Sequence, residues 1–127
     1  MSIEGAIYDR LSNYANLTAL TSTRIYNAEM PQNPTYPAVV FERIDDSPVA
    51  AMGSNTGLNE SRWLVYAFAS TRASMIDVAA QIEAALLRYS GTHDSTELHY
   101  INQVGGQIER PTNEIWAQVT ELIIFYR

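Results

Sequence analysis

Cysteine and lysine are both missing from this sequence of 127 residues. Without cysteine, the chain has no disulfide scaffold, no thiolate metal site and no cysteine nucleophile. Without lysine, it has neither the phosphate-binding lysine of a P-loop nor an amine for Schiff-base chemistry. These two absences exclude several common classes of enzyme and metal-binding module.

Positive charge and long apolar runs are also scarce. Fourteen acidic residues outnumber eight basic residues, all arginine, which gives a net charge of −6 and a pI near 4.7. This balance is untypical of a basic nucleic-acid-binding module. No apolar run approaches the roughly 20 residues that span a bilayer, and the first residues lack the character of a signal peptide. We therefore expect a soluble intracellular protein without membrane contact.

The sequence does contain enough apolar material for one core. Hydrophobic residues make up 46% of the chain, and no linker, repeat or low-complexity segment divides it. A chain of this length is close to the commonest size of one domain. We expect a single domain over residues 1–127.

Two segments have the apolar periodicity of amphipathic helices. The first covers residues 3–20, follows the N-cap candidate Ser2, and has an apolar face formed by Ile3, Ile7, Leu11 and Tyr14. The second begins at Ser70 or Thr71 and ends at Ser90-Gly91, because glycine tolerates the left-handed backbone of a helix end. Its apolar stripe consists of Met75, Ala79, Ile82 and Leu86.

Five segments have the composition of strands, namely residues 23–26, 38–45, 60–69, 97–109 and 115–126. Gly105-Gly106 interrupts the fourth. We favour a bulge there over a hairpin turn, because Arg110-Pro111-Thr112-Asn113 is the better turn. The predicted fold is α+β, with two helices on one face of a mostly antiparallel four- to five-stranded sheet in the order α-β-β-β-α-β-β. An antiparallel meander is its simplest topology.

Residues 47–59 are predicted to form a long mobile loop. Proline, two glycines and small polar residues dominate this segment. A loop of this length is usually functional or disordered. Its tip consists of Met52, Gly53, Ser54, Asn55, Thr56 and Gly57.

Two of the predicted strands are apolar on both faces. In residues 60–69, Trp63, Val65, Ala67 and Ala69 alternate with Leu64, Tyr66 and Phe68. In residues 115–126, Ile115, Ala117, Val119, Ile123 and Phe125 alternate with Trp116, Leu122, Ile124 and Tyr126. Two helices cover only one face of such a sheet, and each large apolar side chain gains roughly 1.5–3 kcal/mol on burial.

The second face must therefore be shielded. Either the sheet curls and the proline-rich segment and long loop lie across it, or another subunit packs on it. We favour the subunit, since tyrosine and tryptophan tolerate a wet interface rim. The expected interface residues are Leu64, Tyr66, Phe68, Trp116, Leu122 and Ile124.

Candidate catalytic and metal-binding groups are few. His93 and His99, with Asp94 and Glu97 between them, lack the spacing of a zinc site and are interpreted as a solvated loop. Asp45-Asp46 point to opposite faces of a strand, and Ser54 does not lie in a nucleophile elbow. We predict no catalytic residue, no metal and no cofactor.

The order and spacing of five segments are more specific than any one of them. The segments are the N-terminal helix with Thr23-Arg24-Ile25-Tyr26, the strand Tyr36-Pro37-Ala38-Val39-Val40-Phe41-Glu42-Arg43-Ile44, the strand Trp63-Leu64-Val65-Tyr66-Ala67-Phe68-Ala69, an alanine-rich helix from near Thr71, and the closing strand Leu122-Ile123-Ile124-Phe125-Tyr126-Arg127. Together they resemble the tail-completion, or tail-terminator, proteins of long-tailed bacteriophages, almost from end to end.

The resemblance implies a non-enzymatic structural protein of the virion tail, assembled in the host cytoplasm. Such proteins form a ring, typically six-fold, that caps the head-proximal end of the tail tube, stops tube polymerisation and joins the tail to the head. The implied partners are copies of this chain, the tail tube protein and a connector or stopper protein. DNA would pass through the ring without specific binding, which suits an acidic subunit. The loop tip at residues 52–57 would contact the tube or the next ring.

Two alternatives remain open at this point. The chain could be another head–tail joining protein, such as a stopper or a tube-like ring. It could also be a small soluble enzyme or ligand-binding dimer that uses the His93–His99 segment.

Overall fold

Three helices and six strands are found in the computed structural model, which describes residues 2–51 and 54–127, without the side chains of residues 50, 51 and 54–56. The helices are α1 (Ile3–Ser12), α2 (Ala15–Thr21) and α3 (Arg72–Leu86). The strands are β1 (Ile25–Asn27), β2 (Ala38–Ala51), β3 (Ser54–Ala69), β4 (Gly91–His93), β5 (Thr96–Thr112) and β6 (Ile115–Tyr126). Among these residues, no helix is long and apolar enough to cross a membrane.

The N-terminal helical region is two helices, so the single helix expected over residues 3–20 is wrong. Ser2 is the N-cap, as predicted, and its hydroxyl accepts a hydrogen bond from the backbone N–H of Gly5 at 3.1 Å. Asn13 ends α1, because its side-chain amide donates to the Asp9 carbonyl at 2.8 Å and to the Asp9 carboxylate at 2.9 Å. A side chain that bonds the preceding turn in this way competes with continuation of the helix.

Helix α3 starts where the sequence indicates and ends earlier. Thr71 is the N-cap, and its hydroxyl accepts from the Ser74 backbone N–H at 3.2 Å. The helix ends at Leu86, because Arg88 adopts a left-handed backbone (φ 61°) and donates its backbone N–H to the Ile101 carbonyl of β5 at 2.9 Å. The predicted end at Ser90-Gly91 is therefore wrong, and Gly91 opens β4 instead.

The sheet has six strands in the order β1-β2-β3-β6-β5-β4, rather than the expected four or five. Strand β1 runs parallel to β2, and the other neighbours are antiparallel, so the sheet is mixed and the simple meander is wrong. Strand β4 has only three residues, too few to show an alternating pattern in the sequence. The predicted α+β class is confirmed.

Residues 47–59 are mostly paired strand, so the predicted long loop is wrong. The backbone of β2 continues opposite β3, with Ser47 facing Glu60 and Pro48 facing Asn59. A register shift follows Pro48, which lets a residue without an N–H stay in the ladder. Small polar side chains concealed this extension, because backbone hydrogen bonds between two strands do not require apolar alternation. Met52 and Gly53 lie outside the described residues.

Strand β5 passes through Gly105-Gly106 without turning. The pairing with β6 shifts register between Gln103 and Gly105, as the predicted bulge requires. A Cβ on Gly106 would lie 3.0 Å from the Val119 carbonyl oxygen, so the backbones approach closely there. The turn falls at residues 113–114, later than the predicted turn over residues 110–113. Pro111 is part of β5, because the strand continues to Thr112, which pairs with Ile115.

The helices pack on one face of the sheet, called here the helix face. Its largest buried side chains include Trp63 and Phe41, whose ring centroids are 6.2 Å apart. The predicted stripe of α3 is buried against this face, with Met75 and Leu86 at 0% exposure. The opposite face, called the open face, carries Leu64, Tyr66 and Phe68, because successive side chains of a strand alternate.

Candidate functional site

The open face presents a row of large apolar side chains that none of the helices in the described part of the chain covers. On β3, Leu64, Tyr66 and Phe68 are half-buried, whereas Trp63 and Val65 of the helix face are at most 1% exposed. The rings of Tyr66 and Phe68 stack, with centroids 5.6 Å apart and planes 8° from parallel. The predicted alternation of β3 is therefore confirmed, and these three residues keep part of their surface accessible.

Part of the shielding of this face comes from the chain itself. Val40 of β2 and Val119 of β6 both pair with Tyr66 and are only 5% and 7% exposed, because the sheet curls. Two grooves of about 270 Å³ each remain beside Tyr66. One lies against Glu109 and Glu121, and the other runs between Phe68 and the segment that contains Met30.

Carboxylates surround the aromatic row. Glu42 pairs with Leu64 across the β2–β3 ladder, and Glu109 pairs with Ala117 beside Phe68. Burial, followed by the negative charges of Glu42 and Glu109, raises the pKa of Tyr66 above its usual 10.0. The open face is therefore apolar at its centre and acidic around it.

Trp116 does not lie on the open face. It pairs with Ala69, a helix-face residue, close to the start of α3. The guanidinium of Arg110 lies 4.7 Å from the centroid of the Trp116 ring, and that of Arg72 lies 5.6 Å from it. These three residues are called the arginine–tryptophan patch. Each cation faces the electron-rich ring, which fixes the orientation of both long side chains.

Leu122 and Ile124 belong to the core, so their expected role in a subunit interface is wrong. Their exposed fractions are 1% and 0%. Leu122 pairs with Trp63 and Ile124 with Ser61, which places both on the helix face. A side chain without accessible surface cannot contact another subunit. Among the open-face residues of β6, Ile123 and Phe125 are large, apolar and half-buried, whereas Val119 is buried.

Sequence reasoning missed these two open-face residues and also both arginines of the patch. Alternation along β6 separates residues 123 and 125 from 122 and 124. It does not tell which set faces the helices when both are apolar. Arg72 and Arg110 are 38 positions apart by their numbers, and no local pattern connects them. The pairing of β3 with β6 assigns Ile123 and Phe125 to the open face, and the packing of α3 and β5 around β6 brings the two arginines to Trp116.

The two histidines have different roles. His93 of β4 lies between Asp9 of α1 and Tyr89, with Nδ1 2.6 Å from the Asp9 carboxylate and Nε2 2.8 Å from the Tyr89 hydroxyl. Its side chain is only 10% exposed, so the interpretation as a solvated loop is wrong for His93. His99 is exposed and lies 3.2 Å from the Glu97 carboxylate. Within the described residues, no group of three or more metal-ligating side chains is found.

The predicted contact tip at residues 52–57 is only partly described. Ser54, Asn55 and Thr56 belong to the backbone of β3, and Gly57 has φ 75°. Met52 and Gly53 are outside the described residues. A role of this tip in binding stays a prediction.

Comparison with known proteins gives one family and a number of similar solved structures. The family model described as "Tail completion protein gp17" matches residues 5–119. No curated protein matches the chain. Among solved structures, the chain is similar to one in the virion of the native gene transfer agent (GTA) particle, with 16% identity and a TM-score of 0.83. The alignment covers 98% of this chain and 94% of that chain. At this identity, the likeness shows the fold.

Proposed function

This chain belongs to the tail completion protein gp17 family, and from that premise we propose that it forms a ring on the head-proximal end of a tail tube. The family is one of structural virion proteins, so the chain is a structural component of a phage-like tail. In the proposal the ring is six-fold, stops polymerisation of the tube and joins the tail to a connector or stopper protein.

The observation that carries this proposal is the uncovered row on the open face. Leu64, Tyr66 and Phe68 keep part of their surface accessible after the sheet has curled. Full burial of such side chains gains roughly 1.5–3 kcal/mol each, and half-burial leaves part of that gain to a partner. A protein whose role is assembly uses this remaining gain at subunit contacts, where tyrosine and phenylalanine are enriched.

The charge of the chain supports the passage of DNA through such a ring. With a net charge of −6, a closed ring of identical subunits repels phosphates at its lumen and does not hold the DNA. Its other proposed contact, with the tube or the next ring, lies at residues 52–57. The described part of this tip, residues 54–57, belongs to β3, which pairs with β2.

The proposal is tested by replacing Tyr66 with aspartate in a particle whose own copy of this protein has been deleted. An additional carboxylate beside Glu42 and Glu109 places an unpaired charge in the contact, which costs several kcal/mol when it is desolvated. We expect tail tubes longer than normal and without heads in electron micrographs. Tyr8→Asp is the matched control, because Tyr8 is 45% exposed on α1, and it should give tails of normal length.

Thermal melting of the two purified variants completes this test. We expect Tyr66→Asp to lower the stability of the free subunit by only about 1 kcal/mol. If assembly and stability are lost together, Tyr66 is ordinary core and the open face is not a contact. Tubes of normal length that lack heads would indicate a stopper or another joining protein in place of a terminator.

A further inference from the structure

The arginine–tryptophan patch has the residue types and the exposure of a binding surface. Arg72 and Arg110 are exposed, and Trp116 is half-buried beneath them. In the described part of the chain, neither guanidinium forms an ion pair with a carboxylate. Arg110 also donates to the Asn113 carbonyl at 2.8 Å, which holds its side chain in place. Tryptophan and arginine are the residue types most enriched among binding hot spots.

The open face has the opposite charge. Glu42 and Glu109 both act on Tyr66 at its centre. Arg62 lies on this face, and its guanidinium is already 3.4 Å from the Glu121 carboxylate. Glu42 accepts a hydrogen bond from the Tyr66 hydroxyl, and Glu109 accepts one from the Gln107 side-chain amide at 2.5 Å. Among the described residues, neither carboxylate forms an ion pair with a cation.

The two surfaces lie on opposite sides of the same sheet. Trp116 pairs with Ala69 on the helix face, whereas Tyr66 and Phe68 point from the open face. One subunit can therefore contact one neighbour with each surface. Two different patches that match each other give a head-to-tail contact, which closes into a ring when the rotation between subunits allows it.

We propose, on the premise of the ring above, that the arginine–tryptophan patch of one subunit packs on the open face of the next copy. Trp116 lies against the stacked rings of Tyr66 and Phe68, and the two guanidinium groups face Glu42 and Glu109. The partner is a second copy of this chain, because the complementary charges and the uncovered aromatic rings are both present within it. Charge complementarity then also sets the order of subunits around the ring.

Charge reversal on each side tests this pairing. One variant carries Arg72→Glu with Arg110→Glu, and the other carries Glu42→Arg with Glu109→Arg. Each is incubated with preassembled tail tubes, and the rings at tube ends are counted in negative-stain images. Either variant alone faces like charges at every contact, and we expect at least about a tenfold loss of rings. An equimolar mixture should recover rings to within about threefold of the unmodified protein, because alternating subunits restore attraction at every contact of an even-numbered ring.

A matched control reverses the same types of charge elsewhere, with Arg88→Glu and Asp77→Arg, both exposed positions outside the two surfaces. This variant should form rings normally, and circular dichroism should show that all variants are folded. If the two reversals leave ring formation unchanged, or if the mixture does not recover it, the pairing is wrong while the ring remains. If the unmodified protein forms no rings at tube ends, the proposed function itself fails. Single subunits could instead bind to tubes through the patch. If Arg72→Glu/Arg110→Glu loses this binding and the mixture does not recover it, the patch binds the tube protein and the pairing is wrong.

Discussion

Ser61 is the most informative position for testing how the helix face is held together. It is a 1% exposed residue of β3 whose hydroxyl accepts a hydrogen bond from the Trp63 indole N–H at 2.7 Å and donates to the Ile124 carbonyl at 3.3 Å. Replacing Ser61 with alanine removes one oxygen and leaves the indole N–H, on a fully buried ring, without its acceptor. A buried donor without a partner costs about 1–3 kcal/mol. For a domain of this size, that loss lowers the melting temperature by roughly 3–10 °C.

The assay is equilibrium unfolding in urea, followed by tryptophan fluorescence. Ser70→Ala is the control, because Ser70 is exposed and its loss should change the free energy of unfolding by less than about 0.5 kcal/mol. In the double variant Ser61→Ala/Trp63→Phe, the donor is also absent, so the cost should be smaller than the sum of the two single changes. A loss below about 0.5 kcal/mol for Ser61→Ala, or strict additivity, would refute this account.

Two further predictions concern hydrogen bonds between distant segments, one between β6 and β2 and one between β4 and α1. Burial, then the hydrogen bond to Asp46 at 2.8 Å, raises the pKa of Tyr126 from 10.0 to about 12. Between pH 10 and 12 the unfolded chain releases the Tyr126 proton, whereas the folded chain keeps it. The free energy of unfolding should therefore fall as the pH rises. Tyr126→Phe should reduce this fall, measured by urea unfolding at pH 9 and pH 11. His93→Ala removes a mostly buried side chain together with its bonds to Asp9 and Tyr89, and should cost about 1–3 kcal/mol by thermal melting. Because His99 is exposed, His99→Ala should leave stability and tails unchanged. If this variant loses function while assembly stays intact, the enzyme alternative is favoured.

The candidate site was only partly predictable, because it depends both on the alternation of side chains along each strand and on the pairing between strands. Alternation along β3 correctly separated Leu64, Tyr66 and Phe68 from Trp63 and Val65, since a strand repeats every two residues. The same rule correctly grouped Trp116 with Leu122 and Ile124. It could not assign that group to a face, because both sets of β6 are apolar. The pairing of Trp63 with Leu122 makes this assignment, and it places the group under the helices.

Local signals in the sequence determined the caps at Ser2 and Thr71 and the full extent of β6. These features depend on neighbours within a few positions, where side-chain chemistry and backbone hydrogen bonds act directly. The order and spacing of several such segments along the chain then indicated the family and the α+β class. The tertiary structure alone decided the parallel β1, the paired strands at residues 47–59, the buried position of His93 beside Asp9 and the two arginines over Trp116. These features depend on contacts between distant segments, such as the 84 positions that separate Asp9 from His93. The hydropathy of a residue indicates how much free energy its burial gains. Which residues bury it is determined by the pairing of the strands.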